Sequence, residues 1–280
     1  MTVSYQAMRG LANVPWYWAF TQADIVNFND SATTVTASAT SHTKGAWAQL
    51  IASTSDESSL LFLRVDNVGV AATETSMLLD VAVGASGSEV AIASDIAIGG
   101  ASLGSLIAAG VILPLPVRIA SGSRISARVQ SLISSDNCTI RFSILKFSAR
   151  QMLPTAVDVL GADTATSRGT AFSGASGSWT QVTASTAQRY RAMWLVPSAI
   201  GTNMTDATTT LEIGFGAAGS EVSIGKQRVR YTVNETAFHE STAAPAYPIA
   251  CDIPAGSRVA VKHAFPSNPD RYGVCVIGIP

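Results

Sequence analysis

Asp80-Val-Ala-Val-Gly-Ala-Ser-Gly-Ser-Glu-Val90 is followed in this chain by Pro116 and then by Ser121-Gly-Ser-Arg-Ile-Ser126. The same succession returns as Glu212-Ile-Gly-Phe-Gly-Ala-Ala-Gly-Ser-Glu-Val222, Pro248 and Ala255-Gly-Ser-Arg-Val-Ala260. Glu89 and Glu221 are 221 − 89 = 132 residues apart, and so are Pro116 and Pro248. Arg124 and Arg258 are 134 apart, which places two extra residues between Pro248 and Gly256. Trp47 and Trp179 are again 132 apart, each with a glutamine two positions on, Gln49 and Gln181. Landmarks in one order at nearly one spacing mark an internal repeat.

Each copy reads as β-structure. Ser76–Val83, Glu89–Ile98, Arg124–Gln130 and Thr139–Phe147 are short apolar or alternating runs bounded by Gly, Ser and Asp. Short strands at roughly 8–12-residue spacing predict a sandwich or barrel. Val111–Ile119 carries Pro114 and Pro116, so it belongs at a sheet edge. The second copy offers Trp179–Thr183, Arg191–Val196, Thr208–Phe215, Glu221–Ile224, Gln227–Val233, Ala246–Ile249, Arg258–Lys262 and Tyr272–Ile279. That is the strand number of a jelly roll. Residues 148–175 read as the connection, with Val157–Leu160 opening the second copy. The expected fold is all-β, two tandem antiparallel β-sandwich (jelly-roll-like) domains related by an internal repeat. The expected division is an aromatic arm over 1–20, a first sandwich over 21–148 and a second over 149–280.

The chain of 280 residues is 47% hydrophobic and only 13% charged, with a formal net charge of −1. That is about half the usual charged fraction of roughly 25%. Such a surface repels other copies weakly, so the chain is expected to pack within an assembly. No cluster of Lys and Arg points to nucleic acid. No stretch reaches the ~18 apolar residues of a membrane helix, and the N-terminus lacks the basic start and apolar run of a signal peptide. Cys138, Cys251 and Cys275 have neither CxxC spacing nor an even count, so free thiols are expected and a zinc site is not.

Candidate chemistry is sparse. His42, His239 and His263 lie at no metal-ligand spacing, and no G-x-S-x-G elbow is present. Asp80, Glu89, Asp95 and Asp136 sit near strand ends, where carboxylates can hold calcium or act in pairs, but no spacing selects them. The expectations are therefore no catalytic residue, no cofactor, no metal, and a chain that is not an enzyme. Two groups of residues remain. Gly-Ser-Glu and Gly-Ser-Arg recur at tight corners, and Glu89 with Arg124, and Glu221 with Arg258, are expected to pair across neighbouring strands as structural anchors. Trp16, Tyr17, Trp18 and Phe20 form the densest aromatic patch and are expected to make an intermolecular interface, since large amphipathic rings suit interfaces.

The succession Trp…Gln, an apolar strand, Val83-Gly-Ala-Ser-Gly-Ser-Glu89, Pro116-x-x-Ile119 and Ser121-Gly-Ser-Arg-Ile-Ser-Ala-Arg128 resembles a pattern in tailed-bacteriophage virion structural proteins. The resemblance covers about 45–147 and 177–280 and leaves out the aromatic arm. It implies jelly-roll-like domains and an assembled state. It also implies a role as capsid decoration, cement or head-spike protein, made in the host bacterial cytoplasm and located in the virion. Its partners would be other copies and other virion proteins, major capsid or tail proteins among them. The alternative is a tail- or baseplate-associated module that binds a receptor or host glycan.

Overall fold

The computed structural model of the chain describes residues 23–66, 75–100, 111–147, 153–172, 176–199, 207–231, 248–264 and 272–280. The first copy has eight strands: β1 (Ala23–Thr36), β2 (Ala48–Ile51), β3 (Leu60–Asp66), β4 (Thr75–Val83), β5 (Val90–Gly100), β6 (Val111–Leu115), β7 (Ile125–Ser131) and β8 (Asn137–Phe147). They form two antiparallel sheets of four strands, ordered β1-β8-β3-β6 and β2-β7-β4-β5. Sequential strands thus pass from one sheet to the other except at the β4–β5 hairpin, which is the double Greek key of a jelly roll. The proline-bearing β6 lies at an edge, where its missing N–H groups cost no ladder bond.

The second copy repeats this order. It begins with β9 (Asp158–Leu160), β10 (Ala162–Asp163) and β11 (Arg168–Ala171), then β12 (Trp179–Thr183), β13 (Tyr190–Ala199), β14 (Ala207–Phe215), β15 (Val222–Tyr231), β16 (Ile249–Ile253), β17 (Val259–His263) and β18 (Tyr272–Ile279). The third sheet runs β10-β11-β18-β13-β16, with β9 also pairing β18, and the fourth runs β12-β17-β14-β15. The place of the long β1 is taken by the three short strands β9, β10 and β11. Two of these, β10 and β11, lie in the stretch read from sequence as a plain connection; Arg168-Gly-Thr-Ala171 is too short and polar to announce a strand. Glu221–Ile224 and Gln227–Val233, read as two strands, are one. Gly225 sits at a bulge where the pairing with β14 shifts between Ile213 and Gly214, so the strand kinks there and continues. No helix occurs among the described residues.

Each sandwich closes on the inward side chains of its two sheets. Leu61, Leu63 and Val65 of β3 face Leu79, Val81, Ala127 and Val129 in the first core. Met193, Leu195, Val274 and Val276 meet Leu211, Ile213, Val259 and Val261 in the second. Between them, Ala192, Trp194 and Val196 of β13 and Cys275, Ile277 and Ile279 of β18 belong to the first cluster instead. Successive residues of a strand point to opposite faces. The third sheet therefore buries one face in its own sandwich and the other against the second sheet, around β5. All eight residues of β18 are buried, matching its unbroken apolar sequence. The sheets stack first, second, third, fourth, with Val157 donating its N–H to Ile92 O of β5 at the junction, 2.9 Å.

Comparison of the copies shows why stacking stops there. Trp194 and Val196 correspond to half-buried Phe62 and exposed Arg64, 132 residues earlier. Cys275 and Ile277 correspond to Arg141 and Ser143, 134 earlier. Leu78, paired with Ala97 at the buried junction, corresponds to exposed Thr210 paired with exposed Arg228. The two outer faces of the stack carry polar side chains where the inner faces are apolar.

Candidate functional site

The recurring corners are built alike. Gly87 and its copy Gly219 adopt φ of 83° and 80°, a conformation that disfavours any side chain, and each turns the chain into the edge strand of its sheet. The Gly87 N–H donates to Glu89 Oε2 at 2.9 Å. Arg124 Nη1 donates to Glu89 Oε1 at 2.8 Å, its Nε to Gln49 Oε1 at 3.0 Å, and Nη1 also reaches Gly84 O at 3.4 Å. In the second copy Arg258 repeats each bond: Glu221 Oε1 at 2.7 Å, Gln181 Oε1 at 2.9 Å and Gly216 O at 3.4 Å. Burial raises the Glu89 carboxyl; its own backbone N–H, Arg124 and the Gly87 N–H outweigh that and hold it below the ordinary carboxylate range. Burial likewise raises Glu221, and Arg258 with the backbone N–H groups of Glu221 and Gly219 holds it low. The structure thus brings Glu89 to Arg124 and Glu221 to Arg258. It adds Gln49 and Gln181 as the third members, whose signal in the sequence was their fixed place two residues after each tryptophan.

Beside each corner lies a tryptophan capped by a cation. The Arg128 guanidinium sits 4.2 Å from the Trp47 ring centroid and Lys262 Nζ 4.5 Å from that of Trp179. Trp179 rests on Gly214, where an added Cβ would come within 2.7 Å of the ring. These cations also bind an acid in each sheet: Arg128 Nε to Asp80 Oδ2 at 2.8 Å, and Lys262 Nζ to Glu212 Oε2 at 3.1 Å. Asp80 and Glu212 are 132 apart and occupy the same place in the two copies.

Their surroundings differ. Asp80 is 1% exposed and receives Lys44 Nζ at 2.8 Å, Arg128 and the Asp95 N–H at 2.9 Å. Lys44 Nζ also lies 2.9 Å from Asp95 Oδ1. The ammonium therefore fills the space between two carboxylates that the sequence left open to a cation. Burial lowers the Lys44 pKa, and the hydrogen bonds and charges of Asp80 and Asp95 more than reverse this and hold it above the ordinary lysine range. Next to this cluster Gln130 Nε2 donates to Thr164 O and to Ser167 Oγ at 3.1 Å, and Ser167 Oγ lies 3.0 Å from His42 Nδ1, joining the two copies. Glu212 meets Ser223, Lys262 and the largely exposed Lys226, whose Nζ is 3.3 Å away. Among the described residues no group of three or more His, Cys, Asp or Glu is placed to hold a metal ion. Trp16, Tyr17, Trp18 and Phe20 lie outside the described residues.

No family model matches the chain, and no curated protein matches it. Solved structures do align with it along most of its length. The STIV MCP is 10% identical over 92% of this chain and 96% of that one, with a TM-score of 0.38. PNGase F, a glycosylasparaginase from Flavobacterium meningosepticum, is 10% identical over 92% of this chain and 96% of that one, with a TM-score of 0.41. A recombinant N-glycanase F gives 9% identity, 92% and 95% coverage and a TM-score of 0.42. The expectation that the chain is not an enzyme is corrected by these alignments, since solved structures of an enzyme are among the matches. The missing nucleophile and histidine motifs do not exclude catalysis, because activity resides in sites grafted onto a fold, and loop-borne sites leave no local signature. The likeness extends to the β-sandwich fold, and no reaction is derived from it.

Proposed function

We propose that this chain is a structural component of a virus particle, where it packs against other copies of itself and against other virion proteins. The finer reading is a capsid decoration, cement or head-spike protein of a tailed bacteriophage. Its domains are two sandwiches over 21–148 and 149–280 behind an arm over 1–20, and the corner pairs Glu89–Arg124 and Glu221–Arg258 hold the turns in shape. The observation that carries this reading is the buried contact between the second and third sheets. Two jelly rolls are fused by an apolar face into one rigid stack, and its described polar clusters are closed upon themselves by ion pairs. The low charge of the chain supports the same reading, since its surface repels neighbours weakly. Against the alternative of a receptor- or glycan-binding module, the Trp47 and Trp179 rings that would offer a stacking face are capped by Arg128 and Lys262. Antibody labelling of purified particles tests the proposal. Labels at regular positions on the head are expected; particles that form without the chain in them overturn it.

A further inference from the structure

The rim of the contact between the sandwiches carries a polar tie that lies outside the repeat. His42 belongs to the loop between β1 and β2, which is fixed on β7 by the His42 N–H to Ser131 O bond at 2.7 Å and the Gly45 N–H to Val129 O bond at 2.9 Å. Ser167 ends the turn between β10 and β11 of the second copy. Both residues hold left-handed backbones, with φ of 56° and 55°, a conformation that few side chains adopt. Gln130 of β7 reaches the same serine. The residue matching Gln130 in the second copy, 134 on, is Ala264, so the tie belongs to the junction alone.

The hydrogens of this tie follow by elimination. Gln130 Nε2 gives one hydrogen to the Thr164 carbonyl and the other to Ser167 Oγ at 3.1 Å. The amide cannot be turned round, because a carbonyl oxygen takes only a donor. Ser167 Oγ therefore accepts from Gln130 and has its own hydrogen to give. Ser167 is 0% exposed, so solvent does not take that hydrogen. Its remaining partner among the described residues is His42 Nδ1 at 3.0 Å. Nδ1 must then present its lone pair, and a neutral ring carries its hydrogen on Nε2. An imidazolium instead points a hydrogen from Nδ1 at the same oxygen, and leaves the serine hydrogen buried without an acceptor.

The charged groups on the elements around the ring are Lys44 on its own loop, Asp80 of β4, Asp95 of β5, Arg128 of β7, Asp136 before β8, and Asp163 and Arg168 of the β10–β11 hairpin. None of them is bonded to the His42 ring among the described residues. The carboxylates have other partners: Lys44 and Arg128 hold Asp80, Lys44 holds Asp95, the Asn137 N–H donates to Asp136, and the Ala165 N–H and Thr166 Oγ1 donate to Asp163. We infer that His42, Ser167 and Gln130 form a proton-sensitive catch, closed while His42 is neutral and released when the ring takes up a proton, which frees the β10–β11 hairpin from the first sandwich. The catch is complete at high pH and is lost as pH falls. The apolar contact between the second and third sheets is untouched, so the sandwiches stay joined and the release is confined to this rim.

NMR and amide hydrogen exchange on the full chain test the catch. At pH 8 the ring nitrogen shifts of His42 are expected to show the Nε2–H form, and an Nδ1–H form overturns the inference. Exchange of the 162–171 amides, corrected for the intrinsic effect of pH, is expected to speed up about tenfold relative to β7 between about pH 8 and 5, the interval in which imidazoles change charge. His42→Asn keeps an acceptor in the place of Nδ1, tolerates the left-handed backbone and has no proton to gain, so its hairpin should stay closed across the interval. Ser167→Gly removes the hydroxyl and relieves the backbone, so its hairpin should exchange fast at both ends of it. The buried His263 is present in all three chains, and its titration cancels in the comparison. Equal acceleration in the wild-type and His42→Asn chains overturns the inference. So does wild-type exchange that does not respond to pH, or slow exchange in Ser167→Gly.

Discussion

Replacing Asp80 by Asn removes one charge from a carboxylate that is 1% exposed and holds two cations, Lys44 and Arg128, at 2.8 Å each. The amide keeps one acceptor oxygen, which can serve the Asp95 N–H, but its NH2 group turns donors toward the two cations. Removing one member of a buried ion pair costs about 3–5 kcal/mol, mostly because the remaining charge stays desolvated. Here the remaining cations are 27% and 29% exposed, and Lys44 keeps Asp95 at 2.9 Å, so the lower end applies, about 3 kcal/mol. The repeat supplies an internal control. Glu212 occupies the same place in the second copy, where its side chain is 11% exposed; it holds Lys262, 28% exposed, but its second cation Lys226 is 63% exposed, so Glu212→Gln should cost less, about 1–2 kcal/mol. Urea unfolding of the two variants should therefore differ by about 1–2 kcal/mol. The Glu212→Gln loss should shrink as salt is added, and the Asp80→Asn loss should not. Equal losses, or a stable Asp80→Asn chain, would refute the assignment of the difference to burial beneath the second sandwich.

Trp194 is 2% exposed within the contact between sandwiches, so Trp194→Ala should lose about 3–5 kcal/mol in the same urea assay, well above the loss from half-buried Phe62→Ala at the matching outer position. Glu89 and Glu221 have folded pKa values below the ordinary 4.5; their contribution is complete above that value and is lost as pH falls through the folded value. Acid unfolding should accordingly start at higher pH for the wild-type chain than acid-insensitive parts of the fold would require, and Glu89→Gln/Glu221→Gln should flatten the stability slope below pH 4.5. Burial pushes the Cys138 and Cys275 thiols up to about 12, so alkylation at neutral pH should label them only after unfolding; rapid labelling of the native chain would contradict the packing of Cys138 in the first core and of Cys275 at the junction.

What the sequence by itself determined is what depends on local chemistry and on counting. Alternation placed Trp179–Thr183 as the strand it is, because side-chain direction is set residue by residue along an extended chain, and an unbroken apolar run placed Tyr272–Ile279 as a strand buried on both faces. Positive-φ corners announced themselves through Gly87 and Gly219, and the fixed 132-residue offset set equal topology for both copies. β10 and β11 escaped notice because two- and four-residue strands are held by their neighbour β18 and not by their own pattern. Only the tertiary structure decided which sheet faces meet. Leu78 and Thr210, or Trp194 and Phe62, are equivalent along the chain, and their difference in polarity has no meaning until one face is seen buried and its copy outside. Asp80 and Glu212 are likewise matching acids in sequence. Asp80, 1% exposed, is enclosed with Lys44 and Arg128 beneath a second sandwich, and Glu212, 9% exposed, shares Lys262 with the largely exposed Lys226, because burial depends on what lies across the interface from a residue and not on its neighbours in the chain.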